Sequence, residues 1–140
     1  MNKFDFLIGD WNLKYSVPKS SLSAESSGSG EGTFYRALNN KYVFFDYKAQ
    51  LTTGSAQAHG IFAKDGSRDN YKYWWFDDSG AFSIASCKFI KDNLLFMIWH
   101  DSCLIQTFEL INQNYIVLIM SQAIDNQNFE PVLKVEFSRK

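Results

Sequence analysis

The sequence predicts an all-β fold: a closed antiparallel up-and-down barrel of about ten strands, with a short N-terminal helix plugging one end. Three observations predict it. Apolar residues alternate with period two in segment after segment, spaced roughly ten to twelve residues apart, and no helical period is sustained beyond the first few residues. The connectors are short and polar, so sequential segments must pair antiparallel. Several segments carry large side chains on both faces, which a two-layer sandwich would expose on one side. A closed barrel uses its interior face for packing or for a ligand, and it leaves no sheet edge unpaired.

The chain opens on Phe4-Asp5-Phe6-Leu7-Ile8-Gly9-Asp10-Trp11. Residues 4–8 are too few and too apolar for a lone surface helix and read as a one-turn or 3₁₀ plug. Gly9 allows a sharp turn into the first strand, with Trp11, Leu13, Tyr15 and Val17 on one face and Asn12, Lys14 and Ser16 on the other. Residues 18–31, dominated by serine and glycine, cannot build a core and are expected as a flexible loop bordering the open end. Strands are then expected over 32–38, 41–51, 56–64, 70–77, 81–90, 94–101, 104–111, 115–123 and 132–139. Asn39-Asn40 is read as a two-residue hairpin turn, and Gly60 as a bend, a bulge or a close backbone approach.

Composition narrows the function. One domain, 1–140, has a 17% aromatic content, and its thirteen Phe, seven Tyr and four Trp are enough to line a cavity as well as fill a centre. The formal charge of -1, with Lys and Arg scattered, argues against a nucleic-acid partner. No apolar run approaches a membrane span and no signal-peptide pattern leads the chain, so no membrane partner and a cytoplasmic location are expected. Cys87, within an expected strand, and Cys103, at the start of one, read as buried free thiols in a reducing compartment, a disulfide being the alternative if adjacent strands align them. Gly28-x-Gly30-x-Gly32 lacks the Lys-Ser/Thr of a phosphate loop and the helix that should follow.

The Phe4–Trp11 opening resembles the Gly-x-Trp signature of the lipocalin-like, or calycin, superfamily. Tyr71-Lys72-Tyr73-Trp74-Trp75-Phe76-Asp77-Asp78-Ser79-Gly80 and Lys134-Val135-Glu136-Phe137-Ser138-Arg139-Lys140 resemble two strands of the uncharacterised DUF1579 family. Nitrobindin-like and fatty-acid-binding-like barrels are its more distant relatives. The resemblance spans nearly the whole chain and implies a lipocalin-like barrel with an internal cavity, but no known activity. It implies that Arg139, on the last strand, lies over the indole of Trp11, both as structural residues. Nitrobindin-like relatives hold haem iron through a histidine near the C-terminus. Here none follows His100, so no cofactor is expected, and a haem would have to recruit His59 or His100 in a changed geometry.

The functional expectation is a binding protein, monomer or homodimer, for a small apolar or amphipathic molecule held inside the barrel. Tyr15, Phe34, Phe44, Tyr73 and Trp75 are the candidate ring surfaces, and Arg36, Asp46 and His59 the candidate polar contacts. An acidic amphiphile would require Arg36, or another cation, inside. The alternatives are an interaction or structural domain without ligand, or a small cofactor-independent enzyme drawing on Asp46, His59, Arg36, Glu109 and Tyr73. No catalytic motif fixes such an enzyme, and Ser102-Cys103 near His100 is only a loose hint of a nucleophile. The two histidines, with Asp46 or Asp101, lack metal-ligand spacing, so no metal site is assigned.

Overall fold

The computed structural model describes residues 1–20, 24–66 and 68–140. Among them, ten strands follow one 3₁₀ helix, Asn2–Leu7: β1 (Gly9–Val17), β2 (Ser26–Ala37), β3 (Tyr42–Leu51), β4 (Gly54–Lys64), β5 (Asn70–Asp77), β6 (Phe82–Lys91), β7 (Leu94–Trp99), β8 (Leu104–Asn112), β9 (Tyr115–Ala123) and β10 (Phe129–Arg139). Each strand pairs antiparallel with its sequence neighbours, and β10 closes onto β1. The predicted fold is therefore the observed one.

The helix plugs the barrel because its period matches its task. In a 3₁₀ helix residues i and i+3 eclipse, and Phe4 and Leu7 on that shared row are both fully buried. Phe4 sits among the rings of Phe62, Tyr71 and Phe89, with centroids 4.9, 4.9 and 5.2 Å away. Trp11 Nε1 donates to the Leu7 carbonyl at 2.7 Å. Arg139 lies over the Trp11 ring, 4.1 Å from its centroid, and donates from Nη1 to the Ile8 carbonyl at 2.8 Å and from Nη2 to the Phe6 carbonyl at 3.3 Å. Gly9, at φ +130°, makes the turn between plug and strand; a side chain there would meet the Arg139 guanidinium.

Above the plug the barrel is filled across its width. Phe34 stacks flat on Phe45 at 3.9 Å, and Phe108 and Phe137 meet edge-on at 5.8 Å. With Phe62, Val43, Leu95, Met97 and Ile116, all essentially buried, these rings form a solid lower half.

Four local expectations are corrected. Of the expected 18–31 loop, residues 21–23 lie outside the described residues, while 26–31 belong to β2 and pair with β1 and β3. Serine and glycine suit that strand because its inner row faces crowded backbone: a Cβ on Gly30 would fall on the Lys48 carbonyl. The Asn39-Asn40 turn widens to residues 38–41, with Leu38, Asn39 and Asn40 all at positive φ. β10 starts before Pro131, not after it, because a register shift between Pro131 and Leu133 accommodates the missing N–H. β7 ends at Trp99, which leaves Cys103 exposed in the turn to β8; Cys87 alone is a buried thiol.

Candidate functional site

The strands run from the plugged end to the opposite end and back, so position along each strand sets depth. Tyr15 on β1, Tyr47 on β3, Trp75 on β5 and Trp99 on β7 all lie on the inner face, beyond the phenylalanine layer. They enclose a cavity of about 380 Å³, within the roughly 300–1,000 Å³ range of small-molecule sites. Phe45, Phe108 and Phe137 form its floor. Tyr73, Gln106, Met120 and Leu133 complete the wall, and Ser83, Asp101 and Ser102 stand toward the mouth.

Ring hydrogen bonds fix the wall. Trp75 Nε1 donates to the Tyr47 hydroxyl oxygen at 2.7 Å, and Trp99 Nε1 donates to Gln106 Oε1 at 3.2 Å. The Gln106 amide nitrogen then has Met97 Sδ as a weak acceptor at 3.7 Å. Trp99 meets Tyr73 and Trp75 edge-on, at 5.8 and 6.5 Å. Gly60, on β4, resolves as a close approach: Tyr73 lies across its Cα, where any side chain would overlap the phenol. Burial raises the phenols of Tyr15, Tyr47 and Tyr73 above the ordinary tyrosine range, and the neighbouring Tyr47 phenol adds to the rise at the other two. Among the described residues no Lys or Arg lines the cavity, and Asp101 is its only carboxylate.

The expected site residues divide. Tyr15, Tyr73 and Trp75 line the cavity. Phe34 lies one layer below, under the Phe45 ring. Phe44, Asp46 and His59 are on the outer wall, because Val43, Phe45 and Tyr47 take the inward positions of β3 and Ala58, Gly60 and Phe62 those of β4. There His59 Nδ1 pairs with Asp46, and Phe44 packs edge-on against the His59 ring at 5.3 Å. Arg36 shares the inward row of Phe34 but sits at the plugged end, where its guanidinium pairs with Asp5 and Nη1 approaches the Met1 carbonyl at 3.4 Å. Asp46, His59, Arg36, exposed Glu109 and Tyr73 therefore do not converge.

His100 bonds Ser86 through Nε2 at 2.6 Å on the outer surface. The interior thus offers a haem iron neither histidine. Among the described residues no group of three His, Cys, Asp or Glu is placed to hold a metal ion. No described helix is long and apolar enough to cross a membrane.

Sequence reasoning missed Tyr47, Trp99 and Gln106. Tyr47 shares the alternating row of Val43 and Phe45, and Gln106 is the one polar residue in the row Leu104, Gln106, Phe108, Leu110. Both rows were legible signals.

No protein-family model matches the chain, and no curated protein does. Solved structures do resemble it. Rv2717c from M. tuberculosis aligns with TM-score 0.73 at 9% identity, covering 100% of this chain and 98% of that one. The S-type phycobiliprotein lyase CPES from Guillardia theta aligns with TM-score 0.75 at 5% identity, covering 99% and 91%. A de novo designed fluorescence-activating β-barrel aligns with TM-score 0.56 at 11% identity, covering 100% and 99%. At such identities the likeness is one of fold.

Proposed function

We propose that this chain binds a small, largely apolar molecule inside the barrel. The observation that carries the reading is the ring-lined cavity of about 380 Å³ over a solid floor, in place of an interior packed throughout. Removing apolar ligand surface from water there contributes roughly 25 cal/mol per Å², and the few fixed polar groups set orientation. The lack of a lining cation among the described residues disfavours an acidic amphiphile, because Arg36 is committed to the plug. The barrel-shaped neighbours include a lyase and a fluorescence-activating design, so the fold serves unrelated tasks and the cavity must argue for this one. We further place the chain with DUF1579-like calycins, as a cytoplasmic single-domain protein, monomer or homodimer. The packing of Arg139 on Trp11 supports that placement.

Native mass spectrometry of the isolated protein, followed by denaturing analysis of what is released, tests the reading. A retained small molecule whose occupancy falls on Trp75→Ala, and holds on Arg36→Ala, is the expected result. An interior that retains nothing and takes up no apolar probe would overturn it.

A further inference from the structure

Resting on that cavity-binding reading, we infer that the ligand is uncharged and carries a carbonyl or equivalent hydrogen-bond acceptor, held by the hydroxyls of Tyr15 and Tyr73. Both residues line the cavity and are more than nine-tenths buried, with 7% and 4% of their surface exposed. No described group hydrogen-bonds to either hydroxyl, yet no described side-chain N or O is both sealed off and unpartnered. The two hydroxyls therefore open onto the cavity.

A buried hydroxyl without a partner costs stability, so it is the polar group whose complement a ligand gains most by supplying. The complement of its hydrogen is an acceptor. Tyr47 already accepts from Trp75 Nε1, which leaves its own O–H free to donate, and the Gln106 amide has only a sulfur as acceptor. Several donor hydrogens deep in the cavity thus lack a good acceptor. Burial keeps the phenols protonated through neutral pH, so those hydrogens are present to donate. A carboxylate would satisfy the donors but meet no lining cation, while a protonated amine would bury its charge with only Asp101, at the mouth, to pair it.

Equilibrium dialysis with four rigid tricyclic probes of one shape separates these cases: fluorene, fluorenone, fluorene-9-carboxylate and 9-aminofluorene. Fluorenone should bind the wild-type chain about fivefold or more tighter than fluorene, the scale of one or two net hydrogen bonds. It should also bind tighter than the acid and the amine. Tyr15→Phe and Tyr73→Phe keep the rings and should each erode that preference, and the double variant should bring fluorenone and fluorene to equal affinity. Circular dichroism of each variant checks the fold. Equal binding of fluorene and fluorenone, a preference surviving in the double variant, or the acid or amine binding tightest would overturn the inference and leave cavity binding standing. Failure of all four probes to bind would overturn both.

Discussion

Trp11 is held from three directions: its indole N–H by the Leu7 carbonyl, its face by the Arg139 guanidinium, its edge by Phe137 at 6.2 Å. Trp11→Ala should therefore cost about 3–5 kcal/mol in denaturant-unfolding free energy, since it leaves a void and unseats the plug. Arg139→Met should cost less, about 1–2 kcal/mol, because the loss is one cation–π contact and hydrogen bonds to partly exposed carbonyls. The same chemical-denaturation assay ranks the two, and a larger loss for Arg139→Met would invert their roles. The buried phenols add a pH dependence. Burial raises their folded-state pKa above the unfolded value of about 10, so the stability they contribute is complete below that pH and is lost as pH rises beyond it. Each such tyrosine should lower the unfolding free energy by about 1.4 kcal/mol per pH unit over that window. Melting curves above pH 10 check the slope, which should be shallower in Tyr15→Phe.

At the scale of the elements, β4 and β5 show a strand shaped by what its neighbour needs. Gly60 is bare because Tyr73 occupies the space a side chain would fill. Gly60→Val should destabilise by about 1–3 kcal/mol in thermal unfolding, and a neutral result would mean that Tyr73 has another place to go. Alternation identified strands well, and it sorted Val43, Phe45 and Tyr47 onto one face of β3. It could not say which face points inward where both are aromatic, as in Phe44 beside Phe45, and so Phe44 entered the candidate site alongside Tyr15. Arg36 was legible as inward by parity, but its depth depends on the plug, whose Asp5 captures it across the chain. The first half of β2 was illegible for a different reason. A strand that must fit against backbone has no side chains with which to announce itself, and it reads as a loop.

For the whole molecule, a solid half carries the plug and a hollow half carries the cavity. Apart from Phe137, which holds the edge of Trp11 and also lies in the cavity floor, the residues that lock the plug are not those that line the cavity, and a saturating ligand should add stability by mass action, about 2.7 kcal/mol at a hundredfold excess over its Kd. A melting temperature that rises with fluorenone in wild type, and by a similar amount in Arg36→Met, checks that separation. The overall architecture was readable because short polar connectors leave sequential strands one way to pair. The mouth was not, since Asp101 and Ser102 lie in a turn whose aim no periodicity encodes. The closure carries one more consequence. Ile8 is bonded to Arg139 across 131 positions, and β1 finds its second partner only in β10. On a ribosome, where the N-terminal residues emerge first, the nascent chain through β9 can form only an open sheet, its greasy inner face bare and both borders unpaired. The barrel can shut only once the last strand has cleared the exit tunnel. Until then the apolar face and the two unpaired strands are exposed to aggregation.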